Sequence, residues 1–171
     1  MWTVIIEALD MLGTAGARVT DAQRDAPTPC TEWTVAQVLQ HAAGDQLAWA
    51  AALGTGAGPQ SNPFDPPGHL PGSVADLLAP AVAAATTAWT AVAPGNDPVP
   101  TPLPQGALPA ATAAAACALD AAVHAWDVTA ALATPRRSPE AGRRLAAGGP
   151  GDRRTAAPVR RLRPCPGTAG R

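Results

Sequence analysis

Two stretches dense in proline and glycine, GTGAGPQSNPFDPPGHLPG at 54–72 and NDPVPTPLPQG at 96–106, constrain this chain more than anything else in it. Proline lacks a backbone N–H and pushes the residue before it out of helical geometry, so neither stretch can lie inside a helix or a central strand. With the shorter loop APTPC at 26–30 they leave four uninterrupted runs, roughly 2–19, 34–53, 73–93 and 109–133. Each run has helical marks. In the first, Trp2, Ile5, Ile6, Leu9, Leu12 and Val19 recur at three- and four-residue steps. Thr34 and Gln37 form a T-x-x-Q capping box at the start of the second, which ends near Gly54. Ser73 with Asp76 opens the third and Pro94-Gly95 closes it, while Pro135 ends the fourth.

Composition decides between helix and sheet. Hydrophobic residues make up 47% of the chain, yet most are alanine and only 4% of residues are aromatic. Small residues of high helix propensity favour closely packed helices, and Val and Ile are too few and scattered to write several strands. The prediction is an all-α four-helix bundle over residues 1–135 with long Pro/Gly-rich connections. At 171 residues the chain is long enough for one domain with a real core. Trp33, Trp49, Trp89 and Trp126 are expected to supply the bulk that alanine cannot, with a ligand-stacking role open for Trp126.

Charge is uneven although the net value is only −1. Ten of the twelve arginines lie after residue 135, where only Glu140 and Asp152 oppose them. Residues 136–171 are thus an Arg/Pro-rich tail with little to bury, which composition predicts to be disordered. Such a tail can touch nucleic acid, but a solvated tail with no specific partner is the preferred reading, and no nucleic-acid or membrane partner is expected. Cys30, Cys117 and Cys165 show no CxxC spacing, and an odd count argues against a disulfide framework. A reducing, cytoplasmic setting follows as the expectation. Cys30 and Cys117 have no cationic neighbours in sequence and read as buried small hydrophobes. Glu7 and Asp10 interrupt the first apolar run, which argues against a signal peptide. No run of 18 residues reads as a membrane span, residues 78–93 coming closest.

The chemistry concentrates in histidine and aspartate. Asp120 and His124 stand four apart on the fourth helix, so one carboxylate oxygen and one imidazole nitrogen face the same way. His41 on the second helix could complete a set of two histidines and one carboxylate, which suits zinc, nickel or ferrous iron and leaves a coordination position for water or substrate. Asp127 lies one turn beyond His124 and Asp45 one turn beyond His41, each a candidate outer acceptor that orients an imidazole or a rim charge near the ion, with Asp127 favoured because it shares the ligand face. The same spacing also makes an ordinary surface pair, and a helical histidine is commonly just a satisfied residue. His69, in the Pro/Gly link, reads as exposed.

TPCTEWTVAQVLQHAAGDQ (28–46) resembles the PC-x-x-W-x-V-x-x-L-x-x-H-x-x-G motif of the DinB-like metal-binding domain of mycothiol-dependent maleylpyruvate isomerases. ALDAAVHAWDVTAAL (118–132) resembles the carboxylate-x-x-x-His ligand helix of that family, in the H-x-W-D form of its small actinobacterial single-domain relatives. The resemblance covers about residues 1–135. It implies a DinB/YfiT-like bundle with His41, Asp120 and His124 as ligands of a divalent metal, usually zinc, and Asp120 standing where glutamate is common. It further implies thiol chemistry on a small molecule, with mycothiol as co-substrate and a thiol or electrophile as partner, in a monomer or homodimer. A non-enzymatic, metal-stabilised binding or regulatory module is the alternative. Relatives continue past the fourth helix with an apolar segment. The arginine-rich residues 136–171 depart from that pattern and fit a frameshifted end as well as a disordered one.

Overall fold

A computed structural model describes residues 2–133, so the basic tail predicted at 136–171 lies outside the described residues. The described residues form four α-helices: α1 (Thr3–Ala17), α2 (Val35–Ala52), α3 (Val74–Ala91) and α4 (Ala110–Ala133). They pack as a bundle in which α1 lies against α3 and α4, and α2 lies against the same two helices. Among the described residues the sheet is one short antiparallel ribbon, β1 (Pro98–Val99) with β2 (Leu108–Pro109), which spans the second proline-rich link.

Local chemistry sets the helix starts. Thr34 accepts from the Gln37 backbone N–H at 3.3 Å while Gln37 Oε1 takes the Thr34 N–H at 3.0 Å. Ser73 and Asp76 repeat the arrangement at 3.1 and 2.9 Å. Both boxes satisfy amide groups that the first turn of a helix leaves without partners. α3 runs through Pro80, whose side is exposed, so the carbonyl freed one turn earlier faces solvent. By length and composition α3 also reaches the threshold of a bilayer-crossing helix, which the sequence reading did not grant it. Its Val74, Leu78, Ala81, Ala85, Ala88 and Trp89 face is nevertheless buried in the bundle.

The core divides the labour between large and small residues. Ile5, Leu9, Leu12, Val35, Val38, Leu39, Trp49 and Trp89 fill the interior, while the buried face of α4 is mostly alanine. Alanine keeps α4 close to its neighbours and brings backbone-borne groups of two helices within reach of each other. At the start of α1 the Trp2 indole N–H donates to the Val92 carbonyl oxygen at 3.0 Å, tying that end to the end of α3. Trp126 departs from its expected place: at 53% exposure it stands outside the core with Leu119 and Val123. It lies between the buried Ala125 and Asp127 but points to the outer side of α4, and size does not decide which side of a helix faces inward.

Candidate metal centre

α2 and α4 face each other in the bundle, and their polar residues meet there. His41, Asp45, Asp120 and His124 each offer one donor atom, and the four atoms all lie within 4.8 Å of one another. His41 Nε2 is 3.3 Å from Asp45 Oδ2, and His124 Nε2 is 3.3 Å from Asp120 Oδ1. A tetrahedron with bonds of about 2.0 Å has edges of about 3.3 Å, so these two pairs are already at the separation zinc ligands keep. The two imidazole rings meet edge to face with centroids 4.7 Å apart. Three residues expected as ligands, His41, Asp120 and His124, are therefore brought together across two helices.

The far side of each ring is held differently. His41 Nδ1 lies 3.0 Å from the carbonyl oxygen of Pro63, in the link after α2. An N–H donated there leaves Nε2 with its lone pair turned toward the cluster. Gly44 makes this contact possible, since a Cβ at that position would come within 2.8 Å of the Pro63 ring. His124 Nδ1 has the Asp127 carboxylate 3.6 Å away, beyond hydrogen-bond reach, and is a buried nitrogen with no partner. Asp127 stands behind His124 as the spacing predicted. Asp45 does not stand behind His41: its carboxylate is on the Nε2 edge, among the candidate donors, and the backbone of Pro63 occupies the outer position instead. Which edge of a ring a carboxylate one turn away will reach depends on the side-chain rotamer, and spacing does not specify it.

A buried chain of donors runs into the site from the core. The Trp89 indole N–H donates to Cys117 Sγ at 3.3 Å, the Cys117 thiol donates to Gln46 Oε1 at 3.4 Å, and Gln46 Nε2 donates to Asp120 Oδ2 at 3.0 Å. Each group hands its hydrogen in the same direction, so Asp120 is oriented by a line of contacts that begins at Trp89. Gln46 was not foreseen as part of the site. Its signal in the sequence is a polar residue beside Asp45 in the largely apolar second half of α2. Cys117 is buried as expected, and burial pushes its thiol up to about 12, so it serves here as a donor rather than a nucleophile. Cys30 is buried and His69 exposed, as read from the sequence, but Cys30 is disulfide-bonded, which corrects the expectation drawn from the odd cysteine count.

Electrostatics follow from burial and crowding. Desolvation pushes the Asp45 carboxyl up to about 7, reinforced by the neighbouring Asp120 charge. Burial opposes a charge on His124, but Asp120 and Asp127 outweigh it and raise the imidazole to about 9. His41 moves the other way, lowered first by burial and then by the charge of His124. The walls are aromatic: Trp33 and Phe64 flank the His41 ring with centroids at 4.7 and 5.2 Å.

The donors suit a divalent ion. Two imidazole nitrogens and two carboxylate oxygens form a set that borderline metals accept. In comparison with known proteins, the family described as mycothiol maleylpyruvate isomerase N-terminal domain matches residues 6–129. No curated protein and no solved structure matches.

Proposed function

Because this chain belongs to the family of mycothiol maleylpyruvate isomerase N-terminal domains, which is DinB-like, we propose that it binds one divalent ion, zinc by preference, between α2 and α4 and uses it in thiol chemistry on a small molecule. His41, Asp120 and His124 are its three ligands. The observation that carries this reading is the convergence of both Nε2 atoms on the carboxylates, with each Nδ1 turned toward an acceptor behind it. A zinc ion there supplies Lewis acidity that keeps a thiol ionised at neutral pH.

The chain's own residues orient and hold protons. Gln46 holds Asp120 by one oxygen and leaves the other facing His124. Pro63 keeps the His41 imidazole presenting Nε2, and Asp127 stands behind His124 at 3.6 Å. Asp45 Oδ2, beside His41 Nε2, is placed to accept the proton that an arriving thiol gives up. Trp33 and Phe64 exclude water from one side of His41. The reaction class is isomerisation or group transfer with a low-molecular-weight thiol such as mycothiol as co-substrate.

Elemental analysis of the purified chain tests the metal: about one equivalent of zinc or a similar ion is expected, and none in His41→Ala or His124→Ala. A metal-free protein of undiminished stability, with both variants unchanged, overturns the reading. Asp45 favours a second reading, in which it is a fourth ligand and the ion is structural in a closed tetrahedral site. Asp45→Ala separates the two. An open site keeps its metal and loses thiol-dependent turnover; a closed one loses metal and has no turnover to lose.

A further inference from the structure

α4 carries its polarity on the side opposite to that of a solvated helix. Its charged side chains, Asp120, His124 and Asp127, are turned to the cluster shared with α2. Its outward positions are Thr112, Ala115, Leu119, Val123, Trp126 and Ala133, all exposed and none of them charged. The outer faces of α1 and α3 look different, with Glu7 and Asp10 on the first and Asp76 and Thr87 on the second. Leu119 is 65% exposed and Val123 44%, so with Trp126 they make one row of large apolar side chains standing in water. A helix that is apolar on its outward side as well is the kind that packing covers.

The row has the spacing with which one helix meets another. Thr112, Leu119, Trp126 and Ala133 stand at steps of seven, and Ala115 and Val123 fall between them, as in the seam of a helix pair. The row also fits itself. Two copies of α4 laid antiparallel about a two-fold axis at the height of Ala121 place Leu119 against the partner's Val123. The same axis places Trp126 against the partner's Ala115 and the partner's Ala116, so the largest side chain of the row falls on two of the smallest. Such a pair covers on the order of 500 Å² on each copy, near the low end of what specific protein pairs bury, which suits a reversible dimer.

We propose that this protein pairs with a second copy of itself through the outward face of α4, with the two helices antiparallel and each Trp126 seated over the small residues at the start of the other. The pairing is independent of what the cluster between α2 and α4 binds.

Sedimentation of the full chain over a concentration series tests it. The average mass is expected to climb from one chain toward two, with a dissociation constant of roughly micromolar size. Trp126→Ala empties both recesses and should raise that constant about tenfold or more, as truncating an aromatic anchor does. Ala115→Trp sets two indoles against each other at each end of the pair and should weaken it similarly. The double variant Ala115→Trp, Trp126→Ala exchanges large and small, and should regain most of the lost association. These side chains are exposed, so the circular dichroism and melting temperature of each monomer should match the wild type. If a variant fails that check, Leu119→Lys takes its place and should also dissociate the pair. A wild type that stays monomeric at every concentration overturns the proposal and leaves the face to another cover, residues 134–171 among them. Dimers that survive both single variants, or a double variant no better than either, overturn it as well.

Discussion

His41 and His124 present the same ring atom to one point, yet their metal-free protonation differs. His124, raised to about 9 between Asp120 and Asp127, holds a proton through neutral pH, whereas His41 is depressed and already neutral there. Asp45, raised to about 7, also retains a proton over part of that range. Metal ligands must be deprotonated, so uptake of the ion expels protons, and a group with a raised pKa makes the expulsion costly below that pKa. The apparent affinity for zinc is therefore expected to rise from about pH 6 to about pH 9 and then level off, with proton release measurable by calorimetry in buffers of different ionisation enthalpy. A pH-independent affinity across that range contradicts the assignment. Gln46 makes a second prediction at this scale. Gln46→Leu removes the donor on Asp120 Oδ2 and strands the Cys117 thiol, and should weaken metal binding about 10- to 100-fold, as loss of an outer partner does. Equilibrium competition against a chelator reads the effect, and unchanged affinity would make Gln46 a packing residue only.

Between residue and bundle, the element that shapes the site is α2 together with the link that follows it. Gly44 lets Pro63 lie flat on the helix, and Pro63 in turn presents its carbonyl to His41. Gly44→Ala should raise intrinsic helix stability by up to about 1 kcal/mol and yet lower metal affinity, because the new methyl displaces Pro63. Chelator competition and thermal melting on the same variant separate the two effects; tighter binding, or both quantities unchanged, rejects the mechanism. The helix starts at Thr34 and Ser73 were legible in the sequence because capping is decided within four residues. The partnership of His41 with Asp120 and His124 was legible only through the resemblance of two motifs, since residues eighty positions apart carry no local sign of meeting. The edge of His41 that Asp45 takes was not legible either, because the side-chain rotamer decides it and the i,i+4 spacing does not. Gln46 escaped because a buried amide on a helix looks like an exposed one until its partners are known.

For the whole molecule, an ion that bridges α2 and α4 binds the folded state and has no preformed site in the unfolded chain. At a free concentration one hundred times its dissociation constant it adds about 2.7 kcal/mol to stability. In a chain of this size that corresponds to an upward shift in melting temperature of roughly 5–10 °C. Calorimetry with and without zinc checks it, and no shift in the wild type while His124→Ala behaves identically would place the cluster among ordinary buried polar groups. The all-α class was legible from the proline-rich links and the alanine content together, because those features act on every residue of a run. The position of Trp126 was not, because the sequence holds no rule for which side of a helix a large residue takes when small ones can fill the core.

Cys117 lies on the inner seam of α4 with its hydrogen committed to Gln46 and its sulfur covered by Trp89. A thiol reagent can reach it only when the helices part, so the rate at which this one peptide is labelled counts how often the bundle opens. Metal held by Asp120, joined to Cys117 through a single glutamine, would slow that count. An atom that takes no part in the chemistry thus works as the molecule's own timer, reporting how long the two halves of the site stay together.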